Sequence, residues 1–290
     1  MAKRWRRLRM GLQTLLGAPR GFFIPYRYAE AIAPADVRAP YAPLEALFRH
    51  GEPALTEHLA AVDGLAADLQ AIGAEAPPPE PRWAQGWFPR LDAAAGYAMV
   101  RRFAPPRLVE VGSGHSTRFY VRAARDGATG TAITAIDPAP RADISRLDGV
   151  AVIRDTVQRA GPAPFADLRA GDVLAIDSSH ILMPGTDVDL LLNRVLPALP
   201  AGVIVHIHDM FLPDPYPASW AWRGYNEQQA VAALLGGGGY AVLWSSRYAA
   251  TRLADRLAET VVARLPHFQA APESSLWLRK TAPGMGPDAG

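Results

Sequence analysis

The stretch Arg107-Leu-Val-Glu-Val-Gly-Ser-Gly-His-Ser-Thr117 predicts a strand, a tight turn and the start of a helix in direct succession. Its apolar run, Leu108 to Val111, has the length of a buried strand. The glycines of the Gly112-Ser-Gly114 turn accept backbone conformations that other residues avoid. From His115 the apolar residues take helical spacing, and hydroxyl side chains at that point can cap the helix. Because such a turn directs backbone N–H groups at a ligand, the stretch is typical of a nucleotide-type cofactor loop.

Around this stretch the sequence alternates between strands and helices. Six further strands are predicted: Thr131–Ile136, Val150–Ile153, Asp172–Ile176, Gly202–Ile207, Tyr240–Trp244 and Ser275–Leu278. Helical segments lie between most of them, and this alternation predicts an α/β fold whose mostly parallel, seven-stranded sheet has helices on both faces.

The rest of the chain divides into an extension and a tail. Residues 1–81 are predicted to form a basic, helical N-terminal extension that ends in a stiff linker, Ala76-Pro-Pro-Pro-Glu-Pro81. Residues 82–280 then form the main domain. Residues 281–290 are expected to be a disordered tail.

The composition is that of an ordinary soluble globular protein, with 49% hydrophobic and 20% charged residues. The chain has no cysteine, which excludes disulfides, thiolate metal sites and cysteine nucleophiles. This absence fits a reducing compartment, and we expect a cytoplasmic protein. No apolar run is long enough to span a bilayer.

Charge is distributed unevenly along the chain. The first twenty residues contain no acid and six basic residues: Lys3, Arg4, Arg6, Arg7, Arg9 and Arg20. Since the whole chain carries +2, the remainder carries −4, which argues against a nucleic-acid partner. A solvated basic tail is the simpler interpretation of residues 1–20. The alternative is an amphipathic helix that contacts an anionic membrane or a partner.

Carboxylates follow several of the predicted strands. Asp137, Asp155, Asp177 and Asp209 each stand at or just after the end of one. Ligands of open parallel sheets bind at the carboxyl ends of the strands, so these side chains are candidates for a binding site. Asp137 is placed to accept hydrogen bonds from both hydroxyls of a ribose. A turn-forming Asp-Pro pair is the alternative at that position.

Together these motifs carry a family resemblance. Glu110-Val-Gly-Ser-Gly114, Asp137 and Asp177 resemble the first, second and fourth motifs of class I S-adenosylmethionine-dependent methyltransferases. Ile176-Asp-Ser-Ser-His180 and Val205-His-Ile-His-Asp209 are similar to a bacterial subgroup whose fourth strand ends in Ile-Asp-Gly-Ser-His and whose fifth ends in His-Asp. The resemblance runs from Arg107 to Asp209, and more loosely to Leu278, and implies a Rossmann-like sheet.

The resemblance also implies a cofactor, S-adenosylmethionine, and a role for each matched residue. Gly112 and Gly114 would pass close to the methionine part, where Glu110 would bond the turn or the amino group. Asp137 would hold the ribose hydroxyls, and Asp155 would lie near the adenine. The full predicted cofactor set is Glu110, Gly112, Gly114, Ser116, Asp137, Asp155 and Asp177, of which the last would also face the acceptor.

One departure from the glycine pattern narrows the choice of cofactor. His115-Ser-Thr117 follows Gly114, so the third glycine of a dinucleotide loop is missing. That glycine serves close helix–strand packing around a pyrophosphate, and its absence disfavours a nicotinamide dinucleotide. A cofactor without phosphates tolerates the change.

Methyl transfer requires that the acceptor lose a proton, and three groups at the sheet edge are candidates for removing it. His180, His208 and Asp209 are the predicted catalytic residues, because an ordinary histidine pKa near 6.5 suits a general base. Alternatively, Asp177 and Asp209 would bind Mg²⁺ or another divalent cation. His206 lies within a strand and is more simply an interior histidine, although by its spacing it shares a face with His208.

A long loop after the fifth predicted strand, Met210 to Trp222, is rich in proline and aromatic residues. Loops of this kind often form lids or binding pockets, and covering the sheet edge is the structural alternative. Aromatic faces with a few polar groups suit a small-molecule or glycan-type acceptor. The predicted function is therefore S-adenosylmethionine-dependent O-methylation. A nicotinamide-dependent oxidoreductase and a non-catalytic, membrane-associated binding protein are the rival hypotheses.

Overall fold

The computed structural model describes residues 2–18, 20–144 and 146–285. The chain forms two compact units that divide between Arg38 and Ala39. The first contains helix α1, Ala2–Leu15, and the short 3-10 turns Ala29–Ala31 and Ala35–Val37. None of the side chains whose burial is described in this unit is buried.

The second unit is built on one seven-stranded sheet in the order β3-β2-β1-β4-β5-β7-β6. The strands are β1 Arg107–Val111, β2 Ala132–Ile136, β3 Val150–Ile153, β4 Val173–Ile176, β5 Ile204–Ile207, β6 Tyr240–Ser245 and β7 Leu276–Lys280. The first five run parallel, whereas β7 is antiparallel to both β5 and β6. The predicted α/β class and the mostly parallel, Rossmann-like sheet are confirmed.

The helices of the second unit vary widely in length. They are α2 Ala42–His50, α3 Glu52–Asp63, α4 Ala66–Gln70, α5 Arg90–Phe103, α6 His115–Asp126, α7 Val157–Ala160, α8 Asp187–Leu190, α9 Leu196–Ala198, α10 Glu227–Gly236, α11 Ser246–Arg252 and α12 Ala254–Ala258. A π-helical turn, Leu191–Val195, joins α8 to α9. Further 3-10 turns include Ala163–Phe165, Ala218–Arg223 and Val261–Arg264.

The hydrophobic core surrounds the central strands and helix α5. Strands β4 and β5 are buried along their whole length, as continuous apolar runs in a covered parallel sheet require. Helix α5 is buried from Leu91 to Val100 and packs against α6. Gly96 lets the rings of Phe88 and Tyr120 approach, since a Cβ there would lie 3.1 Å from each. This packing fixes α5 beneath the carboxyl ends of the strands.

The predicted linker, residues 76–81, lies inside the second unit. Helix α3 precedes this linker and packs against α5 and β6. His58 Nε2 of α3 lies 3.2 Å from the Ala95 carbonyl oxygen, and the Asp63 carboxylate accepts a 2.7 Å hydrogen bond from Val261 N. Of the predicted tail, Thr281 N and Met285 N donate to carbonyl oxygens of the sheet unit, and residues 286–290 lie outside the described part of the chain. No helix of the described residues has the length and apolar content needed to cross a membrane.

Candidate active site

The parallel ladder continues one residue past the strands and aligns their carboxyl ends. Gly112 N donates to the Ile136 carbonyl at 3.0 Å, and Asp177 N donates to the Val111 carbonyl at 2.8 Å. His208 N donates to the Ile176 carbonyl at 2.9 Å. The ends of β2, β1, β4 and β5 therefore form one continuous edge. The strand order reverses at β1 and β4, which is where open sheets of this kind bind ligands.

The turn after β1 requires glycine at its first position. Gly112 has a φ of +79°, and a Cβ there would overlap the carbonyl oxygen of Asp177. A side chain would therefore push β1 and β4 apart at the point where the ligand edge begins. Gly114 is different, because its φ of 161° lies outside the left-handed region and a Cβ there would lie 3.7 Å from Ala142 N, an ordinary contact.

Glu110 lies buried in β1 and holds the start of α6. Its two carboxylate oxygens each accept a 2.5 Å hydrogen bond, from the hydroxyls of Ser116 and Thr117. Thr117 Oγ1 also accepts a 2.9 Å hydrogen bond from Gly114 N and so caps the helix. Burial raises the pKa of Glu110 to about 8, against the two hydroxyl hydrogen bonds that lower it. Glu110 and Ser116 therefore shape the turn.

Asp137 follows β2 and keeps acceptor capacity towards the edge. Its Oδ2 accepts hydrogen bonds from the backbone N and the hydroxyl of Ser113, at 2.7 and 3.3 Å, and its Oδ1 accepts one from Ala139 N at 2.7 Å. Since a carboxylate oxygen can accept two hydrogen bonds, Oδ1 retains room for a ligand hydroxyl. Asp155 follows β3, and its described contacts are with Thr156 N and Arg159. The structure does not bring it against the other predicted site residues.

Four predicted residues do come together at the ends of β4 and β5. His180 Nε2 lies 3.2 Å from Asp177 Oδ1 and 3.4 Å from Asp209 Oδ2. His208 Nδ1 lies 3.7 Å from Asp177 Oδ1 and 3.5 Å from Asp209 Oδ1. The two histidines are almost fully buried, whereas the side chain of Asp177 is 33% exposed and that of Asp209 is 11% exposed. The carboxylates are thus the members of this cluster that a ligand reaches first.

A buried carboxylate stands behind each histidine, and neither was predicted as a catalytic, cofactor-binding or metal-binding residue. Glu227 Oε2, at the start of α10, lies 2.8 Å from His180 Nδ1. Asp92 Oδ2, in α5, lies 3.2 Å from His208 Nε2. Asp92 also accepts hydrogen bonds from Ser274 N and Ser275 N. The only sequence signal for Asp92 is an acid within the apolar run of α5, because no motif surrounds it.

The carboxylates change the charge state expected of the histidines. Burial alone lowers the pKa of His208, but Asp209, Asp177 and Asp92 more than offset this, so the pKa lies well above its usual value. For His180, hydrogen bonds to Asp177 and Glu227 likewise outweigh burial and raise the pKa. Both rings are therefore protonated at neutral pH in this arrangement. The argument that an ordinary pKa near 6.5 makes them free bases does not hold.

The backbone at this cluster is strained. His180 has a φ of +60° and Asp209 a φ of +56°, a region that residues other than glycine enter at a cost. Such conformations persist where the surroundings fix them and concentrate at functional sites. Here the outer carboxylates and the sheet hold both residues in place.

His206 is an interior histidine, as its position within a strand predicted. Its Nδ1 lies 3.1 Å from the Tyr120 hydroxyl and its Nε2 lies 2.9 Å from Ser275 Oγ. The ring stacks on Trp277 at a centroid distance of 4.4 Å. Burial lowers its pKa to about 3, so the ring is neutral. Both nitrogens are used, which leaves His206 outside the chemistry.

The loop after β5 covers the same edge with aromatic side chains. The Arg223 guanidinium lies 3.9 Å from the Trp220 ring centroid, and its Nη1 lies 3.9 Å from Asp209 Oδ2. The Tyr225 ring lies 4.6 Å from the His180 ring. Two buried oxygens nearby, the Tyr216 hydroxyl and Ser178 Oγ, have no hydrogen-bond partner in the part of the chain that the structure describes. These groups offer a ligand both stacking surfaces and polar partners.

A small recess lies between the turn and the histidines. Its lining consists of Phe88, Glu110, Ser116, Ala175, Ile176, Asp177, His206 and His208. Of its two carboxyl groups, Asp177 carries the negative charge that suits the cationic end of a sulfonium cofactor, because the raised pKa of Glu110 keeps that group mainly protonated at neutral pH. No group of three or more histidine, aspartate or glutamate side chains in the described ranges is arranged to hold a metal ion. In this structure the cationic neighbours of Asp177 and Asp209 include the two histidine rings and, for Asp209, the Arg223 guanidinium. Binding of a metal cation by these two carboxylates stays a prediction.

Residues 109–210 match the model of a family described as a methyltransferase domain. The matched segment begins in β1, contains the glycine turn and ends just after Asp209. The match confirms the predicted resemblance to class I S-adenosylmethionine-dependent methyltransferases. No curated protein matches the sequence.

Several solved structures resemble the fold. The S-adenosylhomocysteine-bound methyltransferase PaMTH1 of Podospora anserina is 17% identical, with 90% of this chain and 100% of that chain covered and a TM-score of 0.41. A branched-chain polyamine synthase from Thermus thermophilus is 14% identical, with coverage of 77% and 65% and a TM-score of 0.42. The structure described as "cmcI-N160 SAH" is 14% identical, with coverage of 41% and 60% and a TM-score of 0.30. The chain spans less than two thirds of the last two, and these likenesses concern the fold alone.

Proposed function

We propose that this chain, whose residues 109–210 form a class I methyltransferase domain, transfers a methyl group from S-adenosylmethionine to an oxygen of a small-molecule or glycan-type acceptor. The observation that carries the proposal is the cluster of Asp177, His180, His208 and Asp209. It lies on the same sheet edge as the glycine turn and beneath an aromatic loop. A cofactor turn, proton-handling groups and an acceptor surface thus meet in one place.

On the cofactor side, the residues present fit S-adenosylmethionine. Asp137 keeps a free acceptor position for a ribose hydroxyl, and the turn at Gly112 brings backbone close to the edge. Asp177 lines the recess between the turn and the histidines, where its negative charge would favour a positively charged sulfonium. When bound, the cofactor supplies an electrophilic methyl group, and the chain itself has only to align the acceptor.

On the acceptor side, the loop after β5 would set the specificity. Trp220 and Tyr225 contribute aromatic rings to this surface. The Arg223 guanidinium lies against both rings and near the Asp209 carboxylate. A planar or ring-shaped acceptor gains stacking energy on such a surface and can bond to the Tyr216 and Ser178 hydroxyls. A phenol or a sugar hydroxyl satisfies these requirements.

The acceptor oxygen must lose its proton as it bonds to the methyl carbon, while the electrons of the broken carbon–sulfur bond return to sulfur. We assign Asp209 to receive that proton, because it contacts both histidines and lies next to Arg223 of the aromatic loop, where the acceptor would bind. The protonated rings of His180 and His208 stabilise negative charge at the same edge. Binding of Mg²⁺ by Asp177 and Asp209 is the alternative way to supply positive charge there.

Calorimetry with purified protein tests the cofactor. We expect saturable binding of S-adenosylmethionine, and no comparable binding of NAD. Replacing Asp137 by alanine should weaken binding at least about tenfold, since a hydrogen-bonded carboxylate is lost. Asp148→Ala removes an exposed carboxylate of the neighbouring loop and is the matched control. A well-folded protein that does not bind S-adenosylmethionine would refute the proposal.

Transfer is tested with labelled S-adenosylmethionine, a panel of phenols and sugars, and mass spectrometry of the products. Asp209→Asn should abolish transfer and keep cofactor affinity within about twofold. Parallel reactions with a chelator and with added Mg²⁺ separate the histidine mechanism from the cation mechanism. Full activity of Asp209→Asn would remove this residue from the mechanism, and methylation of nitrogen alone would exclude O-methylation.

A further inference from the structure

Helix α1 presents an apolar stripe to solvent. Trp5, Leu8, Leu12 and Leu15 are 69%, 54%, 52% and 64% exposed, and Leu16, directly after the helix, is 85% exposed. At 3.6 residues per turn these five side chains fall within an arc of about 100°. The stripe is therefore one continuous apolar face, and the side chains of Met10, Gln13 and Thr14 on the other side are the less exposed ones.

The charge around this stripe is strongly positive. Arg9 is exposed beside the stripe and Arg6 is exposed further round α1, and the first twenty residues hold six basic residues and no acid. Long arginine side chains beside an apolar face can reach past it towards anionic groups. The remainder of the chain carries net negative charge, so the positive charge is confined to this end.

More apolar surface follows the helix within the same unit. Phe22, Phe23 and Ile24 are 57%, 67% and 63% exposed and come directly after Gly21. Soluble proteins rarely leave contiguous apolar patches in water unless they mark an interaction surface. A tryptophan among leucines, with arginines alongside, is the composition of helices that lie at the level of lipid headgroups.

We propose that α1 lies in the surface of a membrane that contains anionic lipid, with its Trp5-to-Leu16 stripe towards the acyl chains and its arginines at the headgroup phosphates. Charge complementarity decides between occupants. A second copy of the chain would bring two strongly positive segments together, whereas an anionic bilayer offers both an apolar layer and opposite charge. The contact is peripheral and independent of the chemistry at the sheet edge.

Flotation of the full-length protein with vesicles tests this proposal. One set of vesicles is phosphatidylcholine alone, and in the other about one lipid in three is phosphatidylglycerol. We expect flotation with the anionic vesicles only. Arg6→Gln with Arg9→Gln should weaken binding about 25-fold, at about fivefold for each charge. Leu8→Ser with Leu12→Ser should weaken it at least about tenfold.

Controls with the same chemistry lie elsewhere on the surface. Arg194→Gln with Arg264→Gln removes two exposed charges from the second unit, and Met285→Ser removes an exposed apolar side chain. Both should float like the wild type. Brominated lipid should quench the tryptophan fluorescence of the wild type more than that of Trp5→Phe. Failure of the wild type to float, equal flotation of the α1 variants, or a stripe-dependent dimer in light scattering would each overturn the proposal.

Discussion

Glu227 and Asp92 face the outer nitrogens of His180 and His208, at 2.8 and 3.2 Å. Each ring has its other nitrogen towards Asp177 and Asp209, so the outer carboxylate fixes both ring orientation and charge. Glu227 itself has a raised pKa, mainly through burial, and its second oxygen has no hydrogen-bond partner among the described residues. We therefore expect Glu227 to control the orientation and the charge of the His180 ring.

Replacing Glu227 by glutamine keeps the shape of the side chain and removes its negative charge. We expect kcat to fall about 10- to 100-fold, the usual effect of losing a carboxylate behind a functional histidine. Affinity for S-adenosylmethionine should stay within about twofold, because Glu227 does not contact the glycine turn. Steady-state rates and calorimetry measure the two effects. The exposed Glu259→Gln is the matched control, and an unchanged kcat in Glu227→Gln would contradict the positioning role.

The two glycines of the turn give a second contrast at the scale of single residues. Gly112→Ala should lower the free energy of unfolding by about 2 kcal/mol or more, because of the positive φ and the overlap with the Asp177 carbonyl. It should also weaken cofactor binding. Gly114→Ala meets only an ordinary contact with Ala142, so it should lose less stability than Gly112→Ala. Denaturant titration of both variants tests this, and equal losses would show that φ is not the cause.

Residues within motifs were predictable, whereas residues that reach the site through packing were not. Asp177 and Asp209 follow strands, and a parallel sheet brings such positions to one edge. Asp92 lies 116 residues before His208, on a helix that only the packed fold places beneath β5. Asp177 raises the pKa of His180 most and Asp209 that of His208, whereas Glu227 and Asp92 add to these effects. Only the contributions of Glu227 and Asp92 could not be derived from the sequence.

At the scale of elements, the alternation of strands and helices was sufficient for the parallel part of the sheet. The order of the last two strands was not deducible, because β7 inserts between β5 and β6 by antiparallel pairing. The N-terminal helices also differ from their predicted role as part of an extension. The spacing of apolar residues along a helix does not reveal the element against which the apolar face packs.

His58 of α3 provides a test of this packing through pH. Burial lowers its pKa from 6.5 to about 3, although the hydrogen bond to the Ala95 carbonyl raises it. Between pH 6.5 and 3, His58 is therefore protonated in the unfolded chain and neutral in the folded chain. Stability from this residue is fully present above pH 6.5 and falls as the pH drops, by up to about 1.4 kcal/mol per pH unit.

The variant His58→Gln keeps a donor for Ala95 and cannot titrate in this range. Between pH 7 and pH 5 we expect the wild type to lose about 2 kcal/mol more stability than the variant. Urea titrations at several pH values measure the difference. The exposed His50→Gln is the control, since that residue is on α2 and in contact with solvent. Parallel pH profiles of the wild type and His58→Gln would contradict a buried neutral His58.

At the scale of the whole molecule, charge and burial are divided between the two units. Every buried side chain of the described residues lies at or after Leu44, and the basic cluster lies before Gly21. The sheet, both histidines and the glycine turn belong to the second unit. Composition alone revealed the charge asymmetry. The exposed apolar stripe could be identified only in the structure, because the sequence of residues 1–20 was compatible with both a solvated tail and an amphipathic helix.

A chain that starts at Ala39 tests this division directly. Since the removed residues contribute no described buried side chain, we expect the melting temperature to change by less than about 2 °C, which corresponds to under about 1 kcal/mol. Affinity for S-adenosylmethionine should remain within about twofold. Flotation with anionic vesicles should be lost, because the stripe and its arginines are gone. Differential scanning calorimetry, cofactor titration and flotation on one preparation give all three answers.

A large fall in melting temperature would show that the first unit stabilises the second. If flotation were retained, the membrane contact would have to lie on the second unit. That outcome would contradict the proposed role of α1, although the net negative charge of the second unit should repel anionic lipid.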